Sequence, residues 1–166
     1  MAIPCRLGRA SAVSLAAALL LVSGCERSAQ TLQVRDAWSR ATPEGGTVGV
    51  VYLHLSNGGA ADQLVGLRSS VSASAGLHTS SVSGGMASMT PVPVLDVPGG
   101  AQIAFAPDGL HVMLTGLRHT LVQGEHFKLH LQFRSAGERE VDVVVASLGA
   151  AAPDGGAAVD HEHMHH

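Results

Sequence analysis

Four side chains in this sequence have the types and spacing to share one soft metal ion: His78, Met89, His111 and Met113. His111 and Met113 are separated by a single residue. On a strand, both therefore leave the same face, while Val112 and Leu114 turn to the other. His78 and Met89 flank Gly84-Gly85, a hairpin turn by composition, so the strands on either side place them near one end of a sheet. Two imidazoles and two thioethers form a neutral, soft donor set. Copper(I) fits it, since zinc and magnesium seldom accept methionine. Methionine has no proton to lose, so two of the donors persist at mildly acidic pH.

The supply of cysteine narrows the chemistry further. Only Cys5 and Cys25 occur. Arg6 and Arg9 precede an apolar run from Ala10 to Val22, which is shorter than the roughly 20 residues a membrane-spanning helix needs. That pattern reads as an export signal over residues 1–24, closing in Leu21-Val22-Ser23-Gly24-Cys25, which is similar to the lipobox of bacterial lipoproteins. Cys25 is then the lipidated first residue of the mature chain, residues 25–31 are its tether, and the only membrane attachment is the lipid. Cys5 leaves with the signal. A mature domain without a free thiol cannot build a blue-copper electron-transfer centre, which requires a thiolate. The donor set therefore points to a carrier of the ion.

The elements that must position these residues read as strands. Val51, Leu53 and Leu55 alternate with Val50, Tyr52 and His54, and Phe127, Leu129, Leu131 and Phe133 alternate with His126, Lys128, His130 and Gln132. Further strands are expected at Leu32–Trp38, Leu64–Arg68, Leu77–Ser81, Met86–Val94, Ile103–Phe105, Leu110–Leu114 and Glu140–Ser147. Asn57-Gly58-Gly59 and Pro107-Asp108-Gly109 supply turns. Seven to nine short strands punctuated by Gly and Pro predict an all-β, antiparallel sandwich over residues 32–149. Trp38 is expected to anchor its core. His54, His119, His126 and His130 are expected in solvent. Met86 is expected to pack on the hairpin, with a role as an alternative to Met89 left open.

From Ala150 the composition turns to Ala, Gly, Pro and Asp, so residues 150–166 read as a flexible linker and tail. His161, His163, Met164, His165 and His166 close it, a tract able to hold copper(II) or zinc(II) through several imidazoles. Net charge is −3, with no basic stripe, which argues against nucleic acid as a partner. No Ser/His/Asp set or carboxylate pair stands out, so the chain does not read as an enzyme.

The spacing His78-x10-Met89-x21-His111-x-Met113 resembles the signature of the periplasmic PCu(A)C copper chaperones. Val34-Arg35-Asp36-Ala37-Trp38, Val51-Tyr52-Leu53, Asn57-Gly58, Asp62-Gln63-Leu64-Val65 and Gly109-Leu110-His111-Val112-Met113-Leu114-Thr115-Gly116-Leu117, with Leu121 and Gly124, extend the likeness from Leu32 to Ser147. One position departs: many members carry another methionine two residues after the first histidine, where this chain has Ser80. The resemblance implies a cupredoxin-like or Ig-like sandwich that binds copper(I) in the cell envelope. It also implies delivery to a respiratory oxidase, such as the dicopper site of cytochrome oxidase subunit II, alongside a Sco-type protein. A lipoprotein that buffers copper without delivering it would need the same ligands.

Overall fold

Period-two alternation carries through as strands. The computed structural model describes residues 32–152, and no α-helix occurs among them. The strands are β1 (Gln33–Arg40), β2 (Val48–Ser56), β3 (Asp62–Ser69), β4 (Ser72–Ser83), β5 (Met86–Pro91), β6 (Leu95–Val97), β7 (Gln102–Phe105), β8 (Leu110–Leu117), β9 (His126–Phe133) and β10 (Gly137–Ala146). Hydrogen bonding follows the order β5-β4-β8-β2-β1-β10-β9-β3-β6, with β7 pairing the end of β2 that β8 leaves free. The sheet folds over so that β3 packs back against β4.

The core lies between the two halves. Val51, Leu53, Leu55, Leu77, Val112 and Leu114 face Leu64, Phe127, Leu129, Leu131, Phe133, Val143 and Val145 across it. This packing is the main apolar contribution to stability among the described residues. Each such side chain contributes about 1.5–3 kcal/mol on full burial.

Three features differ from the sequence expectation. Every strand pair is antiparallel except β1 with β10, which run parallel with Trp38 opposite Val144. Apolar alternation reports which face is buried and carries no information about strand direction, so this pair was invisible to it. Leu95–Val97 forms its own strand on β3; at three residues it is too short to show a period. Trp38 is buried, yet outside the main core. A bulge between Arg35 and Trp38, with Asp36 at φ 53°, breaks the alternation so that Ala37, Trp38 and Ser39 are buried in succession. Trp38 thereby joins Tyr52, Ala146 and Ala150 in a second cluster.

Candidate metal centre

Strand register assembles the four residues on one face. His78 of β4 lies directly opposite His111 of β8, and Gly76 lies opposite Met113. On the other side of β4, Ser80 is opposite Met89 of β5. Side chains directly opposite share a face, as do residues two apart, so His78, Met89, His111 and Met113 all stand on the outer face of β5-β4-β8. His111 is one strand spacing from His78. Met89 and Met113 are the diagonal neighbours of His78, at about 7–8 Å between backbones. Leu77, Val112 and Leu114 are buried in the core, the last two as the sequence pattern required.

Both imidazoles turn Nδ1 to a backbone carbonyl two residues upstream, His111 firmly and His78 more loosely. The Nδ1 of His111 donates to the Gly109 carbonyl at 2.9 Å, and the Nδ1 of His78 donates to the Gly76 carbonyl at 3.4 Å. A carbonyl only accepts, so each Nδ1 carries the proton and each Nε2 keeps its lone pair. This is the tautomer a metal-binding histidine needs, with its second ring nitrogen fixed by a backbone acceptor. The rings lie nearly parallel, 6.2 Å between centroids and 21° between planes. The Nε2 of His111 is buried and has no hydrogen-bond partner. The Gly109 carbonyl also accepts the Ser80 amide at 3.0 Å, tying the turn before β8 to β4. Gly76 leaves the place opposite Met113 empty of side chain, and a Cβ there would meet His78 Cε1 at 3.4 Å.

Burial grades across the face. His111 is 2% exposed, His78 and Met113 are half-buried, and Met89 is 49% exposed. Met86 lies opposite Ser83, one step out of phase with Met89, so it belongs to the other face of β5. Of the remaining histidines, His54, His119 and His126 are exposed, whereas His130 is half-buried beside Glu138 and Glu140. Cys25 and the tail residues His161, His163, Met164, His165 and His166 lie outside the described residues.

The family model "Putative lipoprotein LpqE-like" matches residues 32–145. The chain belongs to this LpqE-like family. It is similar to "Putative lipoprotein Lxx21020" of Leifsonia xyli subsp. xyli, 32% identical over 152 residues, covering 84% of this chain and 91% of that one. Among solved structures it is similar to CuI-DR1885 from Deinococcus radiodurans, 32% identical with a TM-score of 0.58, covering 72% of this chain and 83% of that one. It also superposes on the apo PCuAC domain of PmoF2 with a TM-score of 0.62, covering 74% of this chain and 94% of that one; at 24% identity this likeness shows the fold alone. The LpqE-like chain is thus a PCu(A)C family member with a cupredoxin-like β fold.

Two features of this LpqE-like domain escaped the sequence reading. Each histidine is preceded by the same two residues, Gly76-Leu77-His78 and Gly109-Leu110-His111. In each triplet the glycine supplies the carbonyl acceptor and the leucine faces the other way, so the repeat was the available signal. The second feature is the aromatic cluster farther along the same outer face. The Trp38 and Tyr52 rings pack at a tilt, with centroids 4.8 Å and planes 42° apart, the Arg40 guanidinium stands 5.8 Å from the Tyr52 ring, and Arg40 Nε donates to the Ala150 carbonyl at 2.7 Å. Burial pushes the Tyr52 phenol above its ordinary pKa; Arg40 opposes the shift and Asp108 adds to it. The phenol is therefore neutral at physiological pH.

Proposed function

We propose that this chain is an exported lipoprotein that carries copper(I) at His78, Met89, His111 and Met113 and hands it to another protein. The observation that carries the reading is the pair of facing imidazoles, each with Nδ1 turned to a backbone carbonyl and that of His111 with a buried, unpartnered Nε2. Leaving such an acceptor unpaired costs roughly 1–3 kcal/mol, a penalty that an ion bound at Nε2 removes. Two thioethers on the same face select a soft ion over zinc. The name CuI-DR1885, borne by a structure 32% identical to this chain, supports copper(I) as the cargo.

In this reading residues 1–24 are removed on export, Cys25 bears the lipid, and residues 25–31 tether the domain of residues 32–149 to the membrane surface facing the periplasm. Residues 150–166 bring His161, His163, Met164, His165 and His166, which hold copper(II) near the domain and raise its local concentration. The acceptor is a respiratory oxidase, with the dicopper site of cytochrome oxidase subunit II as the candidate and a Sco-type protein as a co-worker. Ligand exchange, with no bond made or broken in a substrate, is the whole chemistry, so the protein acts as a carrier and not as an enzyme.

The test is a copper(I) competition titration against a chromogenic chelator. It uses the chain with its five tail donors replaced by Ala, alone and with His111→Ala or Met113→Ala added. One-to-one binding lost in His111→Ala and weakened at least tenfold in Met113→Ala is the expected result; binding indifferent to both changes removes the site. Delivery is then separated from buffering in a deletion strain. Lost oxidase activity rescued by added copper marks delivery, and copper sensitivity with normal respiration marks buffering.

A further inference from the structure

The four candidate ligands stand at different depths, and their depths define a direction. His111 and Met113 belong to β8, which is hydrogen-bonded on one side to β4 and on the other to β2. His78 belongs to β4, between β8 and β5. Met89 alone is on β5, the terminal strand of the hydrogen-bonded order, every residue of which is exposed. The cost of letting go follows the same gradient. Released from an ion, His111 returns to a buried lone pair with no partner, whereas the Met89 thioether swings on three rotatable bonds into solvent. Neither β4 nor β5 carries an Asp, Glu, Lys or Arg, so these two strands themselves set no fixed charge in the path.

The geometry points to an ordered release in which Met89 is the exchanging ligand and His111 the last to let go. This rests on the copper(I) reading above and adds the path to it. The bond between copper and the Met89 sulfur breaks. A donor of the acceptor then forms a bond to the ion from the β5 side, and Met113, His78 and finally His111 are displaced in turn. The ion stays copper(I) throughout, and the first step moves no proton because a thioether leaves neutral. Met89 thus sets the rate of transfer more than it sets the affinity, and Met113 does the reverse.

Stopped-flow transfer of copper(I) from the loaded full chain, again with the five tail donors replaced by Ala, separates the two roles. The probe is a bidentate copper(I) chelator at increasing concentration, with Met89→Leu and Met113→Leu compared against the parent. The parent rate should rise with chelator and level off at the rate of Met89 release. In Met89→Leu the plateau should vanish, with transfer at low chelator at least tenfold faster. In Met113→Leu affinity should fall by as much or more while the plateau remains. A parent rate that stays linear, a plateau kept in Met89→Leu, or one lost in Met113→Leu overturns the order. A chain that binds copper(I) tightly yet shows any of these loses only the ordered path. A chain that binds no copper(I) at equilibrium loses the carrier function, and the path with it.

Discussion

At the scale of single residues, a backbone carbonyl two positions upstream does for both histidines what a carboxylate does in many metal sites: it fixes the ring and its tautomer. Placing that acceptor two residues upstream, within β4 for His78 and in the turn entering β8 for His111, lets the local chain orient each ring. Ser80 then becomes the informative position. It shares the outer face with His78, lies directly opposite Met89, and is half-buried, with its amide donated to the Gly109 carbonyl. A methionine there would bring a third thioether to the open side without disturbing the core. Ser80→Met is expected to tighten copper(I) binding by about tenfold, or ~1.4 kcal/mol, and to slow transfer to a chelator. The competition titration and the stopped-flow measurement read these separately. An affinity unchanged in Ser80→Met would place the ion away from the β4–β5 side of the face.

At the scale of elements, the β4–β5 hairpin holds Met89 diagonal to His78 on a strand, β5, that contributes nothing to the core. Its turn has φ 58° at Gly84 and 79° at Gly85, the left-handed pair that a two-residue hairpin turn requires. A side chain forced into that region costs roughly 1–2 kcal/mol, and a β-branched one is worst placed. Because β5 buries no side chain, the penalty falls on the hairpin alone. Gly85→Val should lower copper(I) affinity at least tenfold while the thermal midpoint moves by no more than about 2 °C. Equal losses in both would mean that the hairpin is part of the folding unit. This hairpin was legible in advance: Gly84-Gly85 gave the turn, and period two gave the faces of β2, β8 and β9. The spacing of the four ligands, matched to a family, gave the residues that register then brought to one face. What stayed hidden was set by long-range pairing. The parallel β1–β10 pair, the short β6 and the burial of His111 all depend on partners distant in sequence. The Asp36 bulge was hidden for a local reason, since alternation has no symbol for an extra residue.

At the scale of the whole molecule, the domain closes where its two ends meet. β1 and β10 lie side by side, and the chain beyond β10 folds back so that Ala150, only 8% exposed, caps the Trp38–Tyr52 pair. The resemblance that identified the family ends at Ser147, and composition alone assigns Ala150 to a linker, yet its methyl group and carbonyl are both in use. Burial of the methyl is worth about 0.8 kcal/mol, and the bond from the Arg40 guanidinium adds an amount of about 1 kcal/mol, discounted because Arg40 is partly in solvent. For a β-domain of this size, each kcal/mol corresponds to roughly 3–5 °C in thermal midpoint. A chain ending at Ser147 should therefore melt about 5 °C or more below one ending at Ala152, with copper(I) affinity unchanged because both chains keep His78, Met89, His111 and Met113. Matching midpoints for the two chains would return Ala150 to the linker. A fall in affinity along with the midpoint would mean that the Trp38–Tyr52 cluster, on the same outer face as His111 and Met113, also supports the metal centre.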